Sequence, residues 1–476
     1  MDEGATSCPL MFVTGGAVLD FLTGQVPGDL DITVPRQAFA CARRLAQTIG
    51  GTFVPLDERE GVARVVWKEY VVDFAQFREG TESIEADLCR RDFTINALAV
   101  PFEFGSDGLR PAEKLLDPTG GYDDFVRRVL RPTSEKIFKS DPLRLLRAYR
   151  FAATLGFTME ESLKDLIADH KQLLHAAAPE RISAELQQVM ASDRAHPQFA
   201  QMAVNGLLWV LFPELERGVG VEQPASHHLD VFEHSLAALD WMEIIQSEPA
   251  RFFPEQEKQM RDYLEVASRR ARLKWAALFH DLGKPAACQI REGRITFYGH
   301  ERLGAQQFTE VAIRLRWSRE ETKQVARLLD LHMWPFHLLN AQQRTGLTAK
   351  ACLRFVKAAG EELVGLFLLA MADSLAGQGP GKPTDMEQSL AVLYGQVEEL
   401  YRKNIKPLFD QPRLLTGHDL QNLFGLSPGP LIGRLLRGLE AAQVAGEVSN
   451  RQEAVEWAAS KLHHLKGEHP PSHRAG

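Results

Sequence analysis

Asp29 and Asp31 flank Leu30 in Asp29-Leu30-Asp31-Ile32-Thr33-Val34, a run in which apolar and polar residues alternate. That is the period of a strand with one apolar face, so both carboxylates reach one spot. Two carboxylates there repel each other unless a cation lies between them, and hard divalent cations such as magnesium take oxygen ligands of this kind. Upstream, Gly15-Gly16 precedes an apolar helical stretch. A glycine turn at a helix start offers bare backbone amides to an anion such as a triphosphate. Together these residues predict metal-assisted phosphoryl or nucleotidyl transfer. Asp-x-Asp alone is common at ordinary strand ends, so the reading depends on what accompanies it.

The elements that must position these residues follow in order. Pro35 to Gly50 reads as a helix, with Pro35 in its first turn, Gly50 just past its end, and Phe39, Leu45 and Ile49 among its apolar residues. Three strand-like runs come next, Thr52–Leu56, Ala63–Trp67 and Tyr70–Ala75, the last two joined by Lys68-Glu69 as a hairpin. Asp73, between Val72 and Phe74, is the one acid inside its apolar strand. It is a candidate third carboxylate for binding a metal and activating an attacking hydroxyl, or else a solvated strand-edge acid.

Composition bounds the rest. A chain of 476 residues is too long for one hydrophobic core. With 25% charged and 45% hydrophobic residues it has an ordinary soluble composition, and its net charge of -8 leaves nucleic-acid binding to a local basic face. Cys8, Cys41, Cys89, Cys288 and Cys352 are scattered and form no Cys-x-x-Cys pair. That spacing argues against a disulfide framework or zinc knuckle and fits a reducing cytoplasm. No apolar run approaches membrane-spanning length, and no signal-peptide pattern opens the chain, so a cytoplasmic location is expected.

Gly15-Gly16-x-Val18-x-Asp20, Asp29-x-Asp31, Asp73 and Arg90-Arg91-Asp92-Phe93-Thr94-Ile95-Asn96-Ala97 occur in one order. They resemble the bacterial-type (class II) tRNA nucleotidyltransferase and poly(A) polymerase family. Leu116–Asp124 and Phe138–Phe151 extend the resemblance, which covers at least residues 9 to 190. It implies that Asp29 and Asp31 hold two magnesium ions and that Asp73 helps the attacking 3′-hydroxyl. It further implies that Gly15 and Gly16 cradle the triphosphate, and that Arg90, Arg91, Asp92 and Asn96 grip the sugar and phosphates of the incoming nucleotide. Arginine–phosphate pairing suits that task, although Arg90 or Arg91 could be a helix-surface residue and Asp92 an N-cap. One departure stands out: Leu19 occupies a position where the family usually has arginine, and leucine cannot donate to a phosphate.

From Asp141 the chain is expected to turn helical, with Asp141 and Arg144 on one face. In the family such a pair resembles a protein template for the Watson–Crick edge of the base; the plain alternative is an i,i+3 salt bridge. Ser140 replaces the glutamate that usually begins this motif, so that glutamate's role is not carried over. Arg144, Arg147 and Arg150 make a basic helix suited to phosphates. Arg181 and Glu185, in the next helix motif, are expected to brace this neck.

Beyond Pro213 histidines cluster. His227, His228, His234, His280-Asp281, Lys284, His300, His332 and Asp373 resemble the HD phosphohydrolase domain. The ligands carried over are His234, His280, Asp281 and Asp373, with His300 and His332 as candidate additions in a two-metal variant and Lys284 facing a phosphate. The metal would be manganese, nickel or magnesium, in an active phosphohydrolase or in a relic that only binds metal. Ala376–Pro383 reads as a flexible linker, residues 386–407 as a helix, and Leu414–Leu420 and Gly425–Gly433 resemble a tRNA-facing tail. There, glycine–proline turns opening helices either offer amides to phosphates or merely cap helices. The end, from Lys466, is expected to fray.

The expected architecture is α+β: a mixed-sheet head over 1–135, a helical neck over 136–215, an HD domain over 220–375 and a helical tail over 386–476. The expected activity is template-independent addition of nucleotides from CTP, ATP or both to tRNA 3′ ends, with no membrane and no obligate protein partner. Phe77–Ala86 is all that separates the Asp73 strand from Asp87. A short loop here resembles members that add only CC; full CCA addition is the close alternative. A poly(A) polymerase, or an HD phosphohydrolase with an inactive head, represents the other classes.

Overall fold

The computed structural model describes residues 10–78, 80–105, 108–112 and 114–467, so Cys8, Glu79 of the short loop, and the end expected to fray beyond Gly467 lie outside the described residues. The chain forms two compact units, up to Pro213 and from Glu214 on.

The first unit carries a seven-stranded sheet in the order β3-β4-β5-β2-β1-β6-β7. The strands are β1 (Phe12–Thr14), β2 (Asp29–Val34), β3 (Thr52–Asp57), β4 (Val62–Trp67), β5 (Tyr70–Gln76), β6 (Ala99–Gly105) and β7 (Gly108–Pro111). β2 and β5 run parallel, with Asp31 opposite Asp73. β4 and β5 form the expected hairpin, and Lys68 takes the positive φ that a tight hairpin turn requires. The inner faces of β2, β4 and β5 supply Ile32, Val34, Ala63, Val65 and Phe74, which pack on Ala38, Ala42 and Ala46 of helix α2 (Ala38–Ile49). Three alanines on that stripe let the helix lie close to the sheet. Each large side chain buried there contributes about 1.5–3 kcal/mol. α2 ends at Gly50 as expected but begins after Pro35, because Gln37 is left-handed (φ 63°) and closes the strand-to-helix turn.

The neck departs from expectation at Asp141. A short helix, Ile137–Ser140, stops there, and Asp141 is extended (φ −148°, ψ 102°) before the helix Arg144–Leu155 begins. Pro142 is the cause, since its ring disfavours helical backbone in the preceding residue. Asp141 and Arg144 therefore do not share a helix face. The Asp141 side chain instead caps the turn, accepting from the Leu143 amide at 3.1 Å. Arg144–Leu155 buries Leu145, Leu146, Ala148, Tyr149, Ala152 and Ala153, leaving Arg144, Arg147 and Arg150 along another face.

The second unit is built on helices. Leu363–Ala376 is its most buried helix and packs against Val231–Ser247 and Ala267–Phe279. Ala376–Pro383 is not a free linker. The Gly379 and Gly381 amides donate to the Ser226 and Ala225 carbonyls, and Lys382 reaches Ser374 and Glu387. A Cβ on Gly379 would fall 2.3 Å from the Ala225 carbonyl oxygen, so the glycine here serves close packing. The helix expected over 386–407 runs from Met386 to Leu400, widens to a π-turn at Tyr401–Ile405, and resumes at Lys406–Asp410. Pro407, lacking an N–H, explains the widening just before it. In the tail, Thr416 and Asp419 close a reciprocal capping box over Gly417–Phe424, so those amides are already satisfied. Pro430–Val444 opens after Gly429 with no side-chain cap.

Candidate functional site

In the first unit a cavity of about 460 Å³ is lined by Gly15, Gly16, Asp31, Arg91, Asp92, Asn96, Asp141, Arg144, Arg147 and Arg150, together with Arg78 and Phe151. Ten of the thirteen head and neck residues expected at the site thus meet at one wall. Asp29, at the exposed start of β2, and Asp73 stand outside the lining, as does Arg90, which is exposed and turned toward Gly80.

Gly15 sits at φ 69° before α1 (Gly16–Leu22), and a Cβ there would lie 2.7 Å from Asp31 Oδ2. Its glycine is needed twice, for backbone angle and for space. Gly16 has open space where a side chain would be, and its amide faces Asp31. Leu19 is buried in the packing of α1. Burial, then Asp73, push the Asp31 carboxyl up; Asp29 adds to this, while Arg91 and the Gly16 amide oppose it. Asp31 is thus left under-compensated, a condition that favours a cation beside it, although the head acids form no group of three ligands within 4.8 Å among the described residues. Asp73 gives both oxygens to Arg64: Nε donates to Oδ1 and Nη2 to Oδ2, each at 2.8 Å.

Arg91 is largely enclosed beside Asp87, with its side chain 11% exposed. Its Nη2 donates to Thr33 Oγ1 at 3.0 Å and reaches Asp87 Oδ2 at 3.5 Å, and its Nε has no partner. Burial, then the neighbouring Arg78, pull its pKa down. Asn96 Oδ1 is likewise buried and unpartnered. Both residues line the cavity, and the two unpartnered atoms lie beneath its surface. Asp92 clamps Arg147, whose Nε donates to Oδ2 at 2.7 Å. Burial would raise the Asp92 carboxyl, but Arg147 overcomes it and the net shift is downward. Glu185 accepts from Arg150 Nε at 2.6 Å, and the Arg150 guanidinium lies 3.9 Å from the centre of the Phe151 ring. Arg181 pairs with Asp141, not with Glu185. Arg144 donates to Ser140 Oγ at 3.2 Å, the residue standing where the usual motif has glutamate.

Arg78, Phe151 and Arg64 had been passed over. For Arg64 a signal existed: a hairpin centred on Lys68-Glu69 necessarily pairs residue 64 with residue 73.

In the second unit His234, His280, Asp281, His300, His332 and Asp373 are all buried. His234 and His280 approach at 3.3 Å between Nε2 atoms, and His300 and His332 at 3.2 Å. His234 Nε2 is 3.0 Å from Asp373 Oδ1, and His280 Nε2 is 3.1 Å from Asp281 Oδ2. Asp281 belongs to two groups that could each hold a metal ion, one with His234 and His280 and one with His300 and His332. The far nitrogens of His280, His300 and His332 contact the backbone carbonyls of Ala277, Phe297 and Leu329, an outer-shell arrangement that fixes ring orientation for a ligand. Burial would lower the His280 imidazole, but Asp281 and Asp373 outweigh it and hold it up at about 10. Lys284 Nζ lies 2.6 Å from Asp281 Oδ2, and His227 forms a third candidate group with His234 and Asp373. His227, His300, Lys284 and Asp373 open on a cavity of about 510 Å³ whose walls include Phe297, Phe336 and Met386.

Comparison with known proteins matches residues 11–131 to the poly A polymerase head domain, 156–218 to an RNA- and SrmB-binding site of polymerase A, 231–376 to the HD domain and 385–459 to tRNA nucleotidyltransferase domain 2. The chain is 37% identical over 457 residues to an A-adding tRNA nucleotidyltransferase of Deinococcus radiodurans, covering 93% of each chain. It is 34% identical over 455 residues to a CC-adding tRNA nucleotidyltransferase of Thermus thermophilus, covering 93% of this chain and 92% of the relative. In fold it resembles the Thermotoga maritima CCA-adding enzyme complexed with tRNA, with a TM-score of 0.62 at 22% identity, covering 95% of this chain and 91% of that one. Among the described residues no helix is long and apolar enough to cross a membrane.

Proposed function

The chain belongs to the tRNA nucleotidyltransferase family, and on that premise we propose that it extends tRNA 3′ ends with cytidylate from CTP, without a nucleic-acid template and with release of pyrophosphate. The observation that carries the reading is the cavity over Gly15, Gly16 and Asp31, where guanidinium groups converge and Arg91 Nε and Asn96 Oδ1 lack partners. A nucleoside triphosphate supplies the negative charge that converging guanidinium groups attract.

In the reaction the 3′-oxygen of the RNA end bonds to the α-phosphorus, its proton leaves, and the bond to pyrophosphate breaks. Magnesium on Asp29 and Asp31 would acidify the hydroxyl and neutralise charge on the departing pyrophosphate. Arg91 would hold the phosphates, Asn96 the sugar, and Arg144 and Asp141 the base. Asp73, its oxygens held by Arg64, would contribute fixed negative charge beside Asp31.

Support for CC addition comes from the connection between β5 and α3 (Ile84–Leu88). It is short and anchored: the Phe77 amide donates to the Val34 carbonyl, and the Arg78 amide to Asp87. Little chain is free there to reshape the cavity after two additions. Addition of A is the second reading, favoured by the Deinococcus relative. Purified protein with tRNA lacking CCA and labelled CTP should incorporate C and stop. Efficient incorporation of A onto tRNA ending in CC would sink CC-only addition, and repeated A addition to a non-tRNA primer would indicate a poly(A) polymerase.

For the second unit the reading is hydrolysis of a phosphate ester by one or two divalent ions, manganese, nickel or magnesium, held by His234, His280, Asp281 and Asp373 with His300 and His332. Metal-dependent release of p-nitrophenol from its phosphate esters tests it; metal bound without turnover would mark a relic.

A further inference from the structure

Asp87 has no solvent exposure and does not line the cavity. Its Oδ1 accepts from the Arg78 amide at 2.9 Å, and its Oδ2 accepts from Arg78 Nη1 at 2.8 Å and lies 3.5 Å from Arg91 Nη2. Both arginines line the cavity, and they arrive from different places. Arg78 comes from the connection after β5, the strand of Asp73; Arg91 follows α3 and lies beside Gly15, with Nη1 3.7 Å from where a Cβ on that glycine would be. Among the described residues neither arginine has another carboxylate partner. A buried carboxylate needs a charged partner to offset its desolvation, and one arginine is enough. Here two share it, Asp31 and Asp92 act on Arg91 only through space, and Arg91 Nε still lacks a partner.

Resting on the proposed nucleotidyl transfer, we infer that Asp87 is a positioning residue that aims the Arg78 and Arg91 guanidiniums together at the polyphosphate of the incoming nucleotide. The polyphosphate is the part that CTP and ATP share, so Asp87 governs nucleotide affinity without selecting the base. It also ties the short connection to the residue beside Asp31, joining the loop to the phosphate site.

Asp87→Asn keeps an acceptor for the Arg78 amide and removes the charge. KM for the incorporated nucleotide should rise about tenfold, KM for the tRNA primer should stay level, and kcat should hold within about threefold. Calorimetric binding of magnesium pyrophosphate should weaken in parallel. Arg78→Gln, which leaves Asp87 and Arg91 in place, should move the same two readouts by a smaller factor, with partial recovery in Arg78→Lys. A purely structural ion pair would lower kcat and melting temperature with nucleotide KM and pyrophosphate affinity unchanged; that result overturns the inference. Absence of incorporation by the unaltered protein would overturn the functional reading, and pyrophosphate binding would still decide the role of Asp87. If Asp87→Asn does not fold, unchanged pyrophosphate affinity in Arg78→Gln is equally fatal.

Discussion

The head cavity and the HD cluster use the same chemistry, carboxylates beside cationic or cation-binding groups, in opposite arrangements. In the head, the guanidiniums of Arg78, Arg91, Arg144, Arg147 and Arg150 line an open wall, with Asp92 beside Arg147 in the lining and the carboxylates Asp87 and Glu185 outside it as braces. In the HD cluster the carboxylates are at the centre, with imidazole nitrogens 3.2–3.3 Å apart around them and none of His234, His280, Asp281, His300, His332 and Asp373 more than 9% exposed. In the head, the unpartnered atoms are Arg91 Nε and Asn96 Oδ1, on residues that line an open cavity. In the HD cluster the central carboxylate, Asp281, is met by Lys284 and His280 and stands at the shared corner of two metal-sized groups. The first arrangement suits a substrate that brings its own charge, the second a resident ion.

The comparison breaks most decisively at the central acids. Asp29→Ala with Asp31→Ala removes both carboxylates that would hold magnesium. Metal assistance contributes several kcal/mol, so incorporation of labelled CTP should fall about a thousandfold or more. Metal content of the HD cluster, measured by plasma mass spectrometry after dialysis, should not change. Surviving incorporation would show the site assignment to be wrong. The reciprocal change, Asp281→Asn, removes the ligand common to both HD groups and should at least halve bound metal while incorporation stays within about twofold, since ligand-shell losses typically weaken metal affinity 10- to 100-fold or more. A collapse of incorporation in that variant would mean that the two centres are not independent.

Next in size is Arg91→Ala. A hydrogen bond to a charged group is worth about 1.5–3 kcal/mol, so kcat/KM for the nucleotide should fall about 10- to 100-fold. A loss confined to kcat, with nucleotide KM unchanged, would place Arg91 with the braces.

Local pattern carried much of this. The strand period of Asp29–Val34, the Lys68-Glu69 hairpin and the solitary acid Asp73 led to the Asp31–Asp73 alignment, because β-register follows from alternation and turn position. Arg64 was legible by the same arithmetic, since the hairpin sets it opposite the third acid. The three-residue spacing of Asp141 and Arg144 does not give a shared helix face, because Pro142 between them dictates extended backbone at Asp141. Ala376–Pro383 looked flexible because composition records what glycine permits; it cannot record that the Ala225 backbone crosses within Cβ distance of Gly379. His227 joins the cluster from a loop, where no periodicity announces it.

The smallest effect sharpens the contrast between brace and ligand by making one isosteric exchange in each region. Glu185→Gln keeps shape and removes the charge that holds Arg150 and, at 3.9 Å, Arg147. Both partners are largely buried, so the loss of a charge-assisted bond should cost about 2 kcal/mol of stability. In a unit of this size that is a melting-temperature drop of about 5 °C. Nucleotide KM should rise only about threefold, because Arg150 keeps its stacking on Phe151 and Arg147 keeps Asp92. Asp373→Asn, the corresponding exchange in the second unit, removes a charge 3.0 Å from His234 and within the metal-sized group. Its signature should be lost metal, with a melting temperature that no longer responds to added divalent ion. If Glu185→Gln instead abolished nucleotide binding, or Asp373→Asn kept its metal, the division into braced arginines and ligand carboxylates would fail.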